Sequence, residues 1–243
     1  MRFTEAEGGY NVANHLKATL REMRRVAKGS DVRAKIEGME RFGIRPQRSI
    51  GLSTPQLRTI ARKTGRNQAL AEALWATGIH DARILASLVG DPLAITRTTM
   101  DRWSRDFASW DVCDACCCNL FDRSPHSWSQ IRKWAAKRHE FVRRAAFATL
   151  AALAVHDKAA DDRVFLDALP LIEKYAFDDR NFVKKAVNWA LRNIGKRNEK
   201  LRPAAIACAE RIREQGTSPA RWIAADALRE LKPAKPKSGP MRS

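Results

Sequence analysis

Apolar residues recur every three to four positions along most of this chain, and the alternation expected of half-buried strands is scarce. Stripes of this kind run through NVANHLKATLREMRRVAK, TPQLRTIARKTG, NQALAEALWATG, HDARILASLVG, SWSQIRKWAAKR, EFVRRAAFATLAALAV, RVFLDALPLIEKYAF, NFVKKAVNWALRNIGKR, LRPAAIACAERIREQG and PARWIAADALREL. That period buries one face of an α-helix. Ala, Leu, Arg, Glu and Lys, all good helix formers, dominate these stretches. Short breaks such as ATGIHD, GDPL, DRSPHS, FDDRN and QGTSP separate them, and start signals stand at Ser53-Thr54-Pro55 and Ser218-Pro219. The pattern predicts an all-α protein of about ten to twelve short helices in antiparallel pairs.

An internal repeat narrows the architecture. EFVRRAAFATL from Glu140 aligns with NFVKKAVNWAL from Asn181 at a spacing of 41 residues, matching Phe141 to Phe182, Arg144 to Lys185 and Leu150 to Leu191. A period of this length suits a two-helix, HEAT-like unit, and stacked units form a curved α-α superhelix with one continuous inner surface. We expect a single HEAT-like repeat domain over residues 1–232 with a concave basic groove. Residues 1–10 are expected to be loosely ordered, and the Pro-, Lys- and Gly-rich residues 233–243 to form a flexible basic tail.

Charge changes the picture next. Among 243 residues, 45 Lys and Arg face 27 Asp and Glu, a net charge of +18. Such an excess points to a polyanion as partner, because each phosphate contact gains from counterion release. The opening MRFTEAEGGYNVANHL carries charges and glycines where a secretory signal needs an apolar run, and no window of about 18 apolar residues occurs. Five cysteines, four of them between 113 and 118, are a poor disulfide layout. The expectation is a cytoplasmic, nucleoid-associated monomer with no membrane partner.

Candidate chemistry centres on SWDVCDACCCNLF, residues 109–121. Consecutive helical residues diverge by about 100°, so Cys116, Cys117 and Cys118 cannot converge on one zinc ion. They read as small apolar fillers where two helices pack closely. Trp110 and Asp114, four apart, share a helix face, which Trp103 and Phe107 extend if the helix is continuous. Taken alone, Trp110 reads as core and Asp114 as a carboxylate paired with an arginine. Residues 174–197, KYAFDDRNFVKKAVNWALRNIGKR, add Trp189 and interleave aromatics with Lys184, Lys185 and Arg192, a composition suited to gripping a phosphate backbone. Arg143 and Arg144 repeat the basic element one unit earlier.

Four segments in this order, MERFGIRPQRSIGLSTPQLRTIAR, RDFASWDVCDACCCNLF, HEFVRRAAFATLAALA and NFVKKAVNWALRNIGKR, resemble the bacterial DNA alkylation repair family, alkylpurine DNA glycosylases built from HEAT-like repeats. The resemblance covers roughly residues 35–230. It implies catalytic roles for Asp114, Trp110 and Trp189. It also implies a groove arginine at Arg144, less naturally at Arg143, and an aromatic contact at Phe182. A tyrosine of some members has no counterpart here, the region reading GMERF. The implied activity is monofunctional hydrolysis of the N-glycosidic bond of cationic purines, of the 3-methyladenine or 7-methylguanine type, in double-stranded DNA, as in base excision repair. No metal or organic cofactor is implied. Two other readings remain: a non-catalytic HEAT-like nucleic-acid-binding protein, and a protein-binding helical scaffold.

Overall fold

The computed structural model describes residues 5–232, with the side chains of residues 5–10 left out of the description; the expected tail at 233–243 lies outside it. Fourteen α-helices follow one another among the described residues. They are α1 (Glu5–Val26), α2 (Val32–Glu40), α3 (Thr54–Thr64), α4 (Gln68–Ala76), α5 (His80–Val89), α6 (Arg97–Arg105) and α7 (Trp110–Asn119). The second half comprises α8 (Ser127–Ala135), α9 (Glu140–His156), α10 (Asp162–Leu166), α11 (Leu169–Tyr175), α12 (Asn181–Arg197), α13 (Leu201–Glu214) and α14 (Ser218–Leu231). α1 already begins at Glu5, inside the segment expected to be loose.

The helices stack in two layers. α3, α5, α7, α9, α12 and α14 pack in succession as one layer, and α4, α8 and α13 back it, pairing with α5, α9 and both α12 and α14. This is the HEAT-like arrangement the repeat predicts. Repeat-equivalent Phe141 and Phe182 meet across α9 and α12, their ring centroids 5.5 Å apart. Both helices are 17 residues long, and α9 is buried along almost its whole length. Its alanines permit close approach on every side.

Three departures from the sequence pattern have local causes. α2 is short and fully buries no residue; its apolar stripe of Val32, Ile36 and Met39 is only half-buried and too brief for periodicity to reveal it. The run RVFLDALPLIEKYAF divides into α10 and α11, with Pro170 in the first turn of the second helix, where its missing N–H is harmless. The aromatic face from Trp103 to Trp110 is not continuous either, because α6 ends at Arg105. Trp103 turns inward and stacks on Trp75 at 4.2 Å, while Trp75 Nε1 donates to Asp106 just past the end of α6.

Polar ties cross the layers where apolar packing leaves a gap. Asp101 accepts from Gln130 Nε2 at 2.7 Å and Trp134 Nε1 at 2.8 Å, and also pairs with Lys133, linking α6 to α8. Burial alone would raise its carboxyl, but these donors together hold it below the ordinary carboxylate range.

Gly195 lies inside α12 where α13 and α14 converge. A Cβ there would meet the Leu231 methyls at 2.7 Å and Ala205 Cβ at 2.9 Å. The leucine can swing aside; a Cβ fixed to the α13 backbone cannot. Gly195→Ala should therefore lower stability by about 1–2 kcal/mol in urea unfolding, although alanine is the better helix former by about 1 kcal/mol. An unchanged or raised midpoint would show that α13 yields at this contact.

Candidate nucleic-acid interface

The candidate site is organised around one carboxylate. Asp114 sits one turn into α7, on the side facing α9. Arg144, in the second turn of α9, grips it through two parallel hydrogen bonds, Nε to Oδ1 at 2.9 Å and Nη2 to Oδ2 at 2.7 Å. Its remaining terminal nitrogen, Nη1, donates to the Phe182 carbonyl at the start of α12, at 2.6 Å. One guanidinium thus ties three successive helices of the layer. Fork geometry of this kind is the strongest form of ion pair.

Arg144 is buried and Asp114 only 19 % exposed at its side chain. Burial pushes the Asp114 carboxyl above its ordinary value, and nearby Asp111 adds to this; the Arg144 charge and hydrogen bonds pull it back only in part. Burial is the strongest single influence against the guanidinium, but the charge and hydrogen bonds of Asp114 together outweigh it, so Arg144 remains cationic. The result is an ionised carboxylate that accepts a proton more readily than a solvated one.

Aromatic side chains sit on the helices that this pair ties together. Trp110, half-buried one turn before Asp114, donates from Nε1 to the Phe42 carbonyl at 2.9 Å. That bond ties the turn after α2 to the start of α7. Gly43 has φ +75°, and a Cβ on it would lie 3.1 Å from the Phe182 ring, so the turn closes on Phe182 only because this residue is glycine. Phe42 itself is 69 % exposed. It stands in the GMERF stretch, and its backbone carbonyl is the acceptor for Trp110. Nothing in the sequence ties Phe42 to a helix that begins nearly 70 residues later. Trp189 is half-buried on α12, two turns beyond Phe182 on the same stripe, or about 10 Å along the axis.

The basic residues divide by environment. Lys185 is exposed and makes no ion pair among the described residues, while Lys184 lies over the ring of Trp222 at 4.9 Å. Arg143 is held within the fold: it donates to Asp178 at 2.6 Å and to the Ala135 carbonyl at 2.9 Å, and packs over Tyr175. Arg192 pairs with Glu230 and lies 3.5 Å from Asp226 on α14. Arg144, expected on the groove surface, is turned inward by Asp114. Of the expected phosphate contacts, Lys184 and Lys185 keep their charge clear of carboxylates.

The cysteines occupy the seam beside the pair. Cys113 and Cys117 are buried, and their Sγ atoms approach the Phe141 and Ala145 carbonyls of α9 at 3.7 and 3.6 Å. Burial pushes both thiols up, away from the thiolate form. The described residues contain no group of three His, Cys, Asp or Glu placed to hold a metal ion, and none of their helices is long and apolar enough to cross a membrane.

The family model described as DNA alkylation repair enzyme matches residues 20–231. No curated protein sequence matches the chain. Among solved structures, one described as "a new family of proteins related to the HEAT-like repeat DNA glycosylases with affinity for branched DNA structures" superposes with a TM-score of 0.71 at 21 % identity, covering 89 % of this chain and 95 % of that one.

Breaking the central pair from one side should be costly. Arg144→Ala leaves a carboxylate in a site that disfavours charge and is expected to destabilise the protein by about 3–5 kcal/mol at neutral pH. Without the guanidinium, the folded-state pKa of Asp114 rises further above its unfolded value. The deficit should therefore shrink as pH falls through that raised value, where the native carboxyl takes up its proton. Adding Asp114→Asn should restore much of the loss. A double variant no more stable than Arg144→Ala alone would show that the guanidinium acts mainly through Phe182.

Proposed function

The chain belongs to the DNA alkylation repair enzyme family, and we propose that it hydrolyses the N-glycosidic bond of alkylated, positively charged purines in double-stranded DNA. The observation that carries this reading is Asp114, kept ionised by Arg144 yet pushed by burial toward proton uptake, beside the half-buried Trp110.

A purine alkylated at N3 or N7 carries a positive charge that weakens its bond to C1′. As that bond breaks, its electron pair neutralises the base, and positive charge moves onto the sugar, as in glycoside hydrolysis. A fixed carboxylate stabilises that charge and orients water toward C1′. The new C1′–O bond releases a proton, which Asp114 takes. Trp110 and Trp189 offer aromatic faces to the cationic base and sugar. Lys184 and Lys185 supply charge for the phosphate backbone. Arg144 is a positioning residue, since its donors are directed at Asp114 and the Phe182 carbonyl. No described side chain has to supply a metal or a Schiff base.

A second reading is favoured by a specific observation: both Asp114 oxygens already accept bonds from Arg144. A carboxylate so engaged also serves as a purely structural tie in a DNA-binding protein, and the superposed relative is described as having affinity for branched DNA.

Release of 7-methylguanine from duplex DNA separates the two readings. The wild-type protein should release base, and Asp114→Asn, once shown to be folded, should lower the single-turnover rate by at least about a hundredfold while binding DNA. The rate should fall as pH drops through the Asp114 pKa, above the ordinary carboxylate range. Tight, salt-sensitive binding without release from any alkylated duplex would establish the binding-module reading.

A further inference from the structure

A second polar cavity lies on the other flank of α7. Asp114 faces α9, whereas this cavity, of about 180 Å³, opens between the starts of α5 and α7 and the loop after α2. Arg45 and Gln47 from the loop, His80 and Arg83 from α5, and Ser109 at the start of α7 line it. Small-molecule sites usually span about 300–1,000 Å³, so this one is too small for a nucleoside and suits a single compact group.

The lining charge is positive and largely uncommitted. Neither Arg45 nor Arg83 lies within ion-pair distance of a carboxylate among the described residues. Arg83 donates Nη1 to the Asp106 backbone carbonyl at 3.1 Å and packs its guanidinium 5.1 Å from the centre of the Trp75 ring. Those contacts fix the fork but leave it charged, and its Nε is buried with no partner. Arg45 is exposed and makes no hydrogen bond among the described residues.

His80 supplies the independent observation. It is only 8 % exposed, and Nε2 faces Asp111 Oδ2 at 2.8 Å. Burial alone would raise the Asp111 carboxyl, but His80 holds it below the ordinary range, so Asp111 is ionised and Nε2 carries the hydrogen. Nδ1 has no partner among the described residues. The two guanidinium charges of Arg45 and Arg83 outweigh the single carboxylate, Asp111, that borders the cavity through His80. The positive ends of α5 and α7 add to the same field.

We propose that this cavity is a socket for one tetrahedral oxyanion, a phosphate group presented by a nucleic-acid strand or by inorganic phosphate. Planar guanidinium forks suit phosphate oxygens, and Gln47, Ser109 and His80 offer neutral donors or acceptors for the rest. Ser109 immediately precedes Trp110. A phosphate seated here is thus held at the start of the helix that carries Asp114, about 7–8 Å along its axis from that residue. The socket does not depend on base release.

Calorimetric titration with inorganic phosphate at fixed ionic strength tests the socket, using the intact protein and an Arg45→Gln variant checked by thermal melting. Saturable millimolar binding, weakened at least about fivefold in the variant, is expected. Arg58→Gln, an exposed arginine on α3 outside the cavity lining, should leave phosphate binding unchanged. The source follows from unmodified duplex binding measured against salt. A fall of about 0.9 in the slope for Arg45→Gln identifies a strand phosphate, and an unchanged slope beside intact phosphate binding identifies the free anion. Absence of saturable phosphate binding would overturn the proposal, even if the slope changed, because Arg45 would then be an ordinary surface contact.

Discussion

The buried fork between Arg144 and Asp114 is the constraint on which the candidate site depends. Charges removed from water are tolerated only when each finds partners, and a buried ion pair adds little net stability over a well-packed apolar substitute. Its effect here is one of register. Arg144 reaches α7 through the carboxylate and α12 through the Phe182 carbonyl, so none of the three helices can slide without leaving a buried polar group unpaired. Trp110 lies one turn from that fixed point and Trp189 two turns from Phe182. Both tryptophans therefore ride on helices whose register the ion pair fixes.

The net charge of +18 does not spread evenly over possible ligand contacts. Toward the C-terminal end, Arg192 and Lys196 meet Glu230, Arg229 meets Asp226, and Lys232 meets Glu210. Cations without carboxylate partners are more prominent in the N-terminal half. There Arg58, Arg62 and Arg66 follow the i, i+4, i+8 spacing of α3 and its end, all exposed, and Arg45 rims the small cavity. A field biased toward this end would orient a polyanion before any close contact forms.

Much of the fold was legible in the sequence because it rests on local periodicity. The 41-residue repeat placed α9 beside α12, and the cross-helix Phe141–Phe182 contact is its physical expression. α2 escaped because three half-buried apolar positions over nine residues make too short a stripe to stand out. The site was legible in part. Helical spacing placed Trp110 and Asp114 on one face, and the plain expectation that Asp114 pairs with an arginine holds, with Arg144 as the partner. The inward turn of Arg144 was not legible, since RRxA reads alike whether its second arginine meets solvent or a carboxylate 30 residues away. Neither Arg143's burial against Asp178 nor the turn carrying Phe42 leaves a local mark, because each depends on distant chain segments.

The cysteines that dominate residues 113–118 find their place in the same geometry. A bidentate pair needs its two backbones at a definite separation, since arginine is long and aspartate short. On α9, Ala145 and Ala148 keep the surface low; on α7, Cys113 and Cys117 approach α9 carbonyls at sulfur hydrogen-bonding distance. Larger side chains along this seam would push the helices apart and stretch the fork. Alanine at the cysteine positions would leave voids beside a buried charge and forfeit their contacts with the carbonyls. Cysteine is intermediate in size and weakly polar, and its buried thiol stays protonated. Cys113 and Cys117 therefore act as spacers whose size matches the reach of Arg144 to Asp114.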